Sequence, residues 1–231
     1  MKIVSTLLVL ALLGTTNIYA QKEIKPKLGK IESLYKKGEL IEAMEMSDLS
    51  INYEKTMNNP KTWYLRGLIY MALDTSASMS GVSENSLQTA ISSFKKNDLL
   101  SEGDNKEPFI TDELGIPTTK TQQIESYWGF HYNKGATAFG EKDFKQAITS
   151  FNNAALIKPN DTNSVINAGY AAVQAELYDE AKNYFYKAIE LGSVEKDIRL
   201  ILIYVVATRQ NLIDEALSIV REARVLYPSD N

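Results

Sequence analysis

The chain has 231 residues, 25 Lys and Arg against 29 Asp and Glu for a formal net charge of -4, one histidine and no cysteine. This excludes disulfides, thiolate chemistry, cysteine-bound metal and a multi-histidine metal site. The basic residues are spread along the chain, leaving nucleic acid little electrostatic footprint; the cluster Lys22, Lys25, Lys27 and Lys30 reads as a solvated amino-terminal arm.

Lys2 precedes an almost wholly apolar run at 3–13, and Gly14, Thr15 and Thr16 lead to a small-residue context ending at Ala20. This pattern reads as a secretory signal peptide over 1–20, cleaved after Ala20. The apolar run is shorter than the roughly 20 residues of a spanning helix, so no stable membrane span is expected after cleavage. Without cysteine there is also no lipid anchor at the processing site. An exported bacterial protein, periplasmic or secreted, is expected, with about 210 residues left for one globular domain or an extended helical array.

From 28 to 53 the apolar residues fall at helical spacing: Leu28, Ile31, Leu34 and Tyr35, then Leu40, Ala43 and Met44, with Gly38 as the turn between two helices. Asn58, Asn59 and Pro60 end that unit and open another. Trp63, Gly67 and Tyr70 share a helical face, and Ala90 and Phe94 look like the small and large positions of its partner helix. The polar stretch 75–85 between them reads as an insertion. Residues 21–98 are therefore expected to form divergent helical hairpins. Gly103, Asp104, Asn105, Gly115 and Pro117 then mark 99–121 as an irregular connection, longer than packed helices usually need, which either covers the neighbouring hairpins or forms a binding loop.

The remainder, 122–231, repeats. Small residues recur at Ala147, Ala181 and Ala216, bulky ones at Phe151, Phe185 and Val220, and alanines at Ala154, Ala188 and Ala223. The period is 34 residues and then 35, with one residue added before the third copy. Units of this length cannot bury their own apolar face and must stack on one another.

Tyr127, Trp128, Gly135, Phe144, Ala147, Phe151, Ala154 and Pro159, followed by Gly169, Tyr178, Ala181, Phe185 and Ala188, resemble the tetratricopeptide repeat. The third copy keeps Ala216, Ala223 and Pro228 but has Tyr204 at the glycine position, and Ser193 replaces the second copy's terminal proline. The resemblance implies an all-α fold of helical hairpins stacked into a right-handed superhelical solenoid. It also implies a scaffold that binds a protein or peptide, such as a cell-envelope protein, on its concave face. The family's inward positions fall on Tyr132, Asn133, Asn167, Tyr170 and Gln174, with Tyr64 extending the face if the early hairpin joins it. Asn167 matches one position of the subtype that clamps acidic tails. Tyr132, Ile198 and Leu202 replace its basic residues, which argues against an acidic-tail ligand.

The last copy is unusually apolar at Ile198, Ile201, Leu202 and Val205. With no polar capping helix after Pro228, apolar area there is expected to drive self-association or docking unless another helix covers it. An enzyme finds little support. His131 sits at a packing position, and the acidic pairs Asp179–Glu180 and Asp214–Glu215 suit helix beginnings. The glycines form no phosphate-cradling loop. No cofactor is expected.

Overall fold

The computed structural model describes residues 25–79, 81–104, 106–112 and 114–228; the expected leader lies outside them. Helices pair into hairpins: α1 (Leu28–Lys36) with α2 (Leu40–Ser50), α3 (Pro60–Thr75) with α4 (Ser86–Leu100), α5 (Lys120–Gly140) with α6 (Phe144–Ile157), α7 (Thr162–Gln174) with α8 (Tyr178–Glu190), and α9 (Lys196–Tyr204) with α10 (Ile213–Leu226). Successive hairpins stack on one another, giving an all-α repeat solenoid with one small β insertion. No helix among the described residues is long and apolar enough to cross a membrane.

Each well-formed hairpin is closed by a glycine facing a phenylalanine. A Cβ placed on Gly135 would lie 2.8 Å from the Phe151 ring, on Gly169 2.8 Å from Phe185, and on Gly67 2.5 Å from Phe94. The missing side chain lets the ring lie against the opposing backbone, so both helices approach at close-packed density. Ala147, Ala181 and Ala90 beside these rings are fully buried. Gly135–Phe151 and Gly169–Phe185 are each 16 residues apart, whereas Gly67–Phe94 are 27 apart. Most of the excess is accommodated between α3 and α4, in a segment that includes the 3-10 turn Ala77–Met79, and the rest in the longer α3 and α4.

The third copy differs from the sequence expectation in where its extra residue lies. N-caps Asp161 and Glu195 are 34 residues apart, while the left-handed turn residues Glu176 (φ 60°) and Asn211 (φ 55°) are 35 apart. The added residue therefore sits inside the first helix of the hairpin. It is absorbed by the π-helical turn Val205–Arg209, where Gln210 N bonds to Val205 O at 3.1 Å, an i to i−5 bond.

The stretch expected as irregular connection contains an antiparallel β-hairpin, β1 (Phe109–Thr111) and β2 (Pro117–Thr119). Three-residue strands carry no readable periodicity. The hairpin is held by Ile110, which is buried in the amino-terminal core, and by Thr119, which opens α5 as a capping box with Gln122.

Two apolar cores follow. One runs from Ile31 to Tyr127 and includes Leu68, Phe94 and Ile110; the other runs from Ala138 to Ile219 around Phe151, Phe185 and Leu202. Helix α5 contributes to both. Between its two contributions, His131 Nε2 lies 2.8 Å from Asp74 Oδ2 on α3, and the Tyr127 hydroxyl donates to the same oxygen at 2.9 Å.

Candidate protein-binding surface

Of the residues at the positions expected to face inward, Tyr132 and Asn133 lie on α5, and Asn167, Tyr170 and Gln174 lie on α7. Asn167 Nδ2 donates to the Tyr132 hydroxyl at 2.8 Å and to Asn163 O at 2.9 Å. Tyr132 stacks between Trp128 and Phe151, at 4.9 and 5.5 Å between ring centroids, and Tyr170 sets its edge against Phe185 at 5.6 Å. Each tyrosine thus sits on its own hairpin's core and is half-buried, while Asn133 and Gln174 are exposed. Burial raises the Tyr170 hydroxyl pKa, and the carboxylates Glu195 and Asp197 at the start of α9 raise it further. This tyrosine stays a neutral donor facing an acidic rim.

Other expected residues lie elsewhere. Tyr64 stands three residues before Gly67, as Tyr132 stands three before Gly135, yet it is 2% exposed and belongs to the amino-terminal core. The segment around β1 lies beside it, which the early hairpin's own sequence does not foretell. Of the expected assembly surface, Ile198, Leu202 and Val205 are fully buried and Ile201 is half-buried, and Ile198, Leu202 and Ile201 join the core shared with the preceding hairpin. The apolar groups left outward on this hairpin are different and include Leu200, Leu217 and Val225, at 49, 47 and 79% exposure.

Arg209 went unnoticed in the sequence. It lies 35 residues after Gln174, and its guanidinium sits 5.4 Å from the ring centroids of both Tyr178 and Tyr204. Extending the inward register through the third copy would have found it. His131, read as a packing residue, is buried and paired with Asp74. Among the described residues no group of three or more histidines and carboxylates is placed to hold a metal ion.

Stacked hairpins with glycine–phenylalanine closures define a class of helical repeat scaffold. Residues 129–161 and 163–191 match the family model for the tetratricopeptide repeat, so this part of the chain carries tetratricopeptide repeats. The two matches cover the α5–α6 and α7–α8 hairpins; the hairpin with Tyr204, Val220 and the π-turn falls outside them. The chain matches none of the curated proteins. Among solved structures it is similar to MamA 41-end from Desulfovibrio magneticus RS-1, with 18% identity over 88% of this chain and 95% of that one, at a TM-score of 0.41. A MamA crystal structure gives 17% identity over 90% and 98% of the two chains, at 0.42. YrrB, described as a tetratricopeptide-repeat protein with an unusual peptide-binding site, gives 15% over 87% and 84%, at 0.40. Similarity at this level does not carry partners or assembly across.

Proposed function

We propose that the chain is an exported, non-catalytic scaffold that holds a protein or peptide partner, such as a cell-envelope protein, on the inner face of α5 and α7. The observation that carries this reading is the Tyr132–Asn167 pair flanked by Tyr170, Asn133 and Gln174. Rigid rings anchored on the core place hydroxyl and amide groups at a surface where an extended main chain finds donors and acceptors. The signal-like sequence pattern at 1–20 supports export. A photo-crosslinking residue at Gln174 is expected to yield a discrete adduct with an envelope protein, while the same group at Thr149, exposed on the second helix of the hairpin, yields none. Equal adducts at both positions, or none at either, would sink the reading.

A second reading, self-assembly through the terminal hairpin, is favoured by a groove of about 170 Å³ lined by Leu200, Ile203, Val220 and Tyr227. Light scattering across a concentration series would then show a discrete oligomer that Leu200→Lys returns to monomer. A monomer at all concentrations removes this reading.

A further inference from the structure

Among the described residues, β1 is bonded along one edge only. Ile110 pairs with Thr118, and the flanking bonds run from Asp112 N to Ile116 O at 3.1 Å and from Lys120 N to Pro108 O at 2.9 Å. In an antiparallel ladder, residues whose main-chain groups face the partner strand alternate with residues whose groups face away. Pro108, Ile110 and Asp112 turn theirs to β2, so Phe109 and Thr111 turn theirs outward. Both residues line a cleft of about 460 Å³ whose other walls include Glu32 of α1, Asn97 of α4 and Tyr64 of α3. The Tyr64 hydroxyl is buried and has no hydrogen-bond partner among the described residues. A buried hydroxyl without a partner is uncommon and calls for an explanation.

We propose that this cleft takes an extended polypeptide segment, which adds to β1 as a third strand through Phe109 and Thr111 and supplies the missing partner of the Tyr64 hydroxyl. An unpaired strand edge is a template for such pairing. The volume falls within the range of about 300–1,000 Å³ seen for ligand sites. Glu32 on the cleft wall is already paired with Lys61 at 2.7 Å and Lys36 at 3.0 Å, and the remaining charged lining residues, Asp104, Lys106 and Glu107, are of mixed sign. Lys36 also donates to Thr111 Oγ1 at 3.1 Å, fixing the edge against α1 before any ligand arrives. Phe109, 59% exposed, offers an apolar surface to one side chain of the incoming strand. The cleft is separate from Tyr132 and Tyr170, so this proposal and the inner-face reading stand or fall independently.

The test is selection of a displayed library of random linear peptides on the full chain. Selected peptides are expected to slow amide exchange at Phe109 and Thr111. Tyr64→Phe is expected to weaken their binding about tenfold or more without lowering the thermal midpoint. Thr111→Pro removes one outward N–H and leaves the bonds to β2 in place, so it is expected to weaken binding as well. If that variant fails to fold, Tyr64→Phe decides. Failure to select any peptide overturns the proposal. So does equal binding by the Tyr64→Phe chain, or protection confined to α5 and α7 with Phe109 and Thr111 unchanged.

Discussion

Gly169 and Phe185 show how much one absent side chain does. The ring occupies the space where a Cβ would stand 2.8 Å away, and it is fully buried, so neither partner has room to yield. Gly169→Ala is expected to destabilise the chain by about 1–3 kcal/mol in urea unfolding, through overpacking. This pairing was legible in the sequence because glycine, alanine and phenylalanine recur at fixed spacing. Tyr64 was not legible in the same way, since a residue equivalent to Tyr132 becomes core only when a distant segment lies against it. Tyr70 supplies a pH prediction. Burial, and then its hydrogen bond to Asp48 at 2.7 Å, push its hydroxyl up to about 12. In the unfolded chain a tyrosine titrates near 10. The folded state therefore keeps a proton that the unfolded state loses, and this contribution is complete below about pH 10 and lost as pH rises towards 12. Tyr70→Phe should flatten the fall in urea midpoint across that window; an unchanged slope would remove Tyr70 as a cause.

At the scale of elements, the third hairpin departs from the other two by exchanging sizes. Tyr204 and Val220 replace glycine and phenylalanine, and Tyr204 turns to the surface, where its hydroxyl accepts from Arg209 Nε at 3.0 Å. The extra residue is accommodated as a π-turn, so removing it should restore an α-helix in register. Deletion of Thr208, which is exposed, is expected to change stability by less than about 1 kcal/mol, whereas deletion of Gln174 from α7 should cost more than about 4 kcal/mol by displacing a packed turn. Similar urea midpoints for the two deletions would contradict this account of the turn. The change of period from 34 to 35 was readable in the sequence, but its place within the helix required the caps on either side. The β-hairpin was hidden for another reason: its hold comes from one buried residue, Ile110, and from a helix cap, and neither leaves a periodic trace.

Across the whole molecule, two cores share one long helix, and Asp74 receives both Tyr127 and His131 at the junction. The repeat pattern announced the stacking of hairpins. It also misplaced the terminal apolar residues: Ile198, Leu202 and Val205 read as surplus at a solenoid's end, yet all three are fully buried, and Ile198 and Leu202 join the core shared with the preceding hairpin. The proposed inner face on α5 and α7 carries rings fixed on the core with polar tips. The most direct test is the affinity, by titration calorimetry, of the segment crosslinked at Gln174 for the parent chain and for Tyr132→Phe with Tyr170→Phe. These changes keep the rings and remove only the hydroxyls. A loss of about tenfold or more with unchanged helicity and thermal midpoint is the predicted result, on the order of 1.4 kcal/mol or more; equal affinity would contradict a partner held on that face.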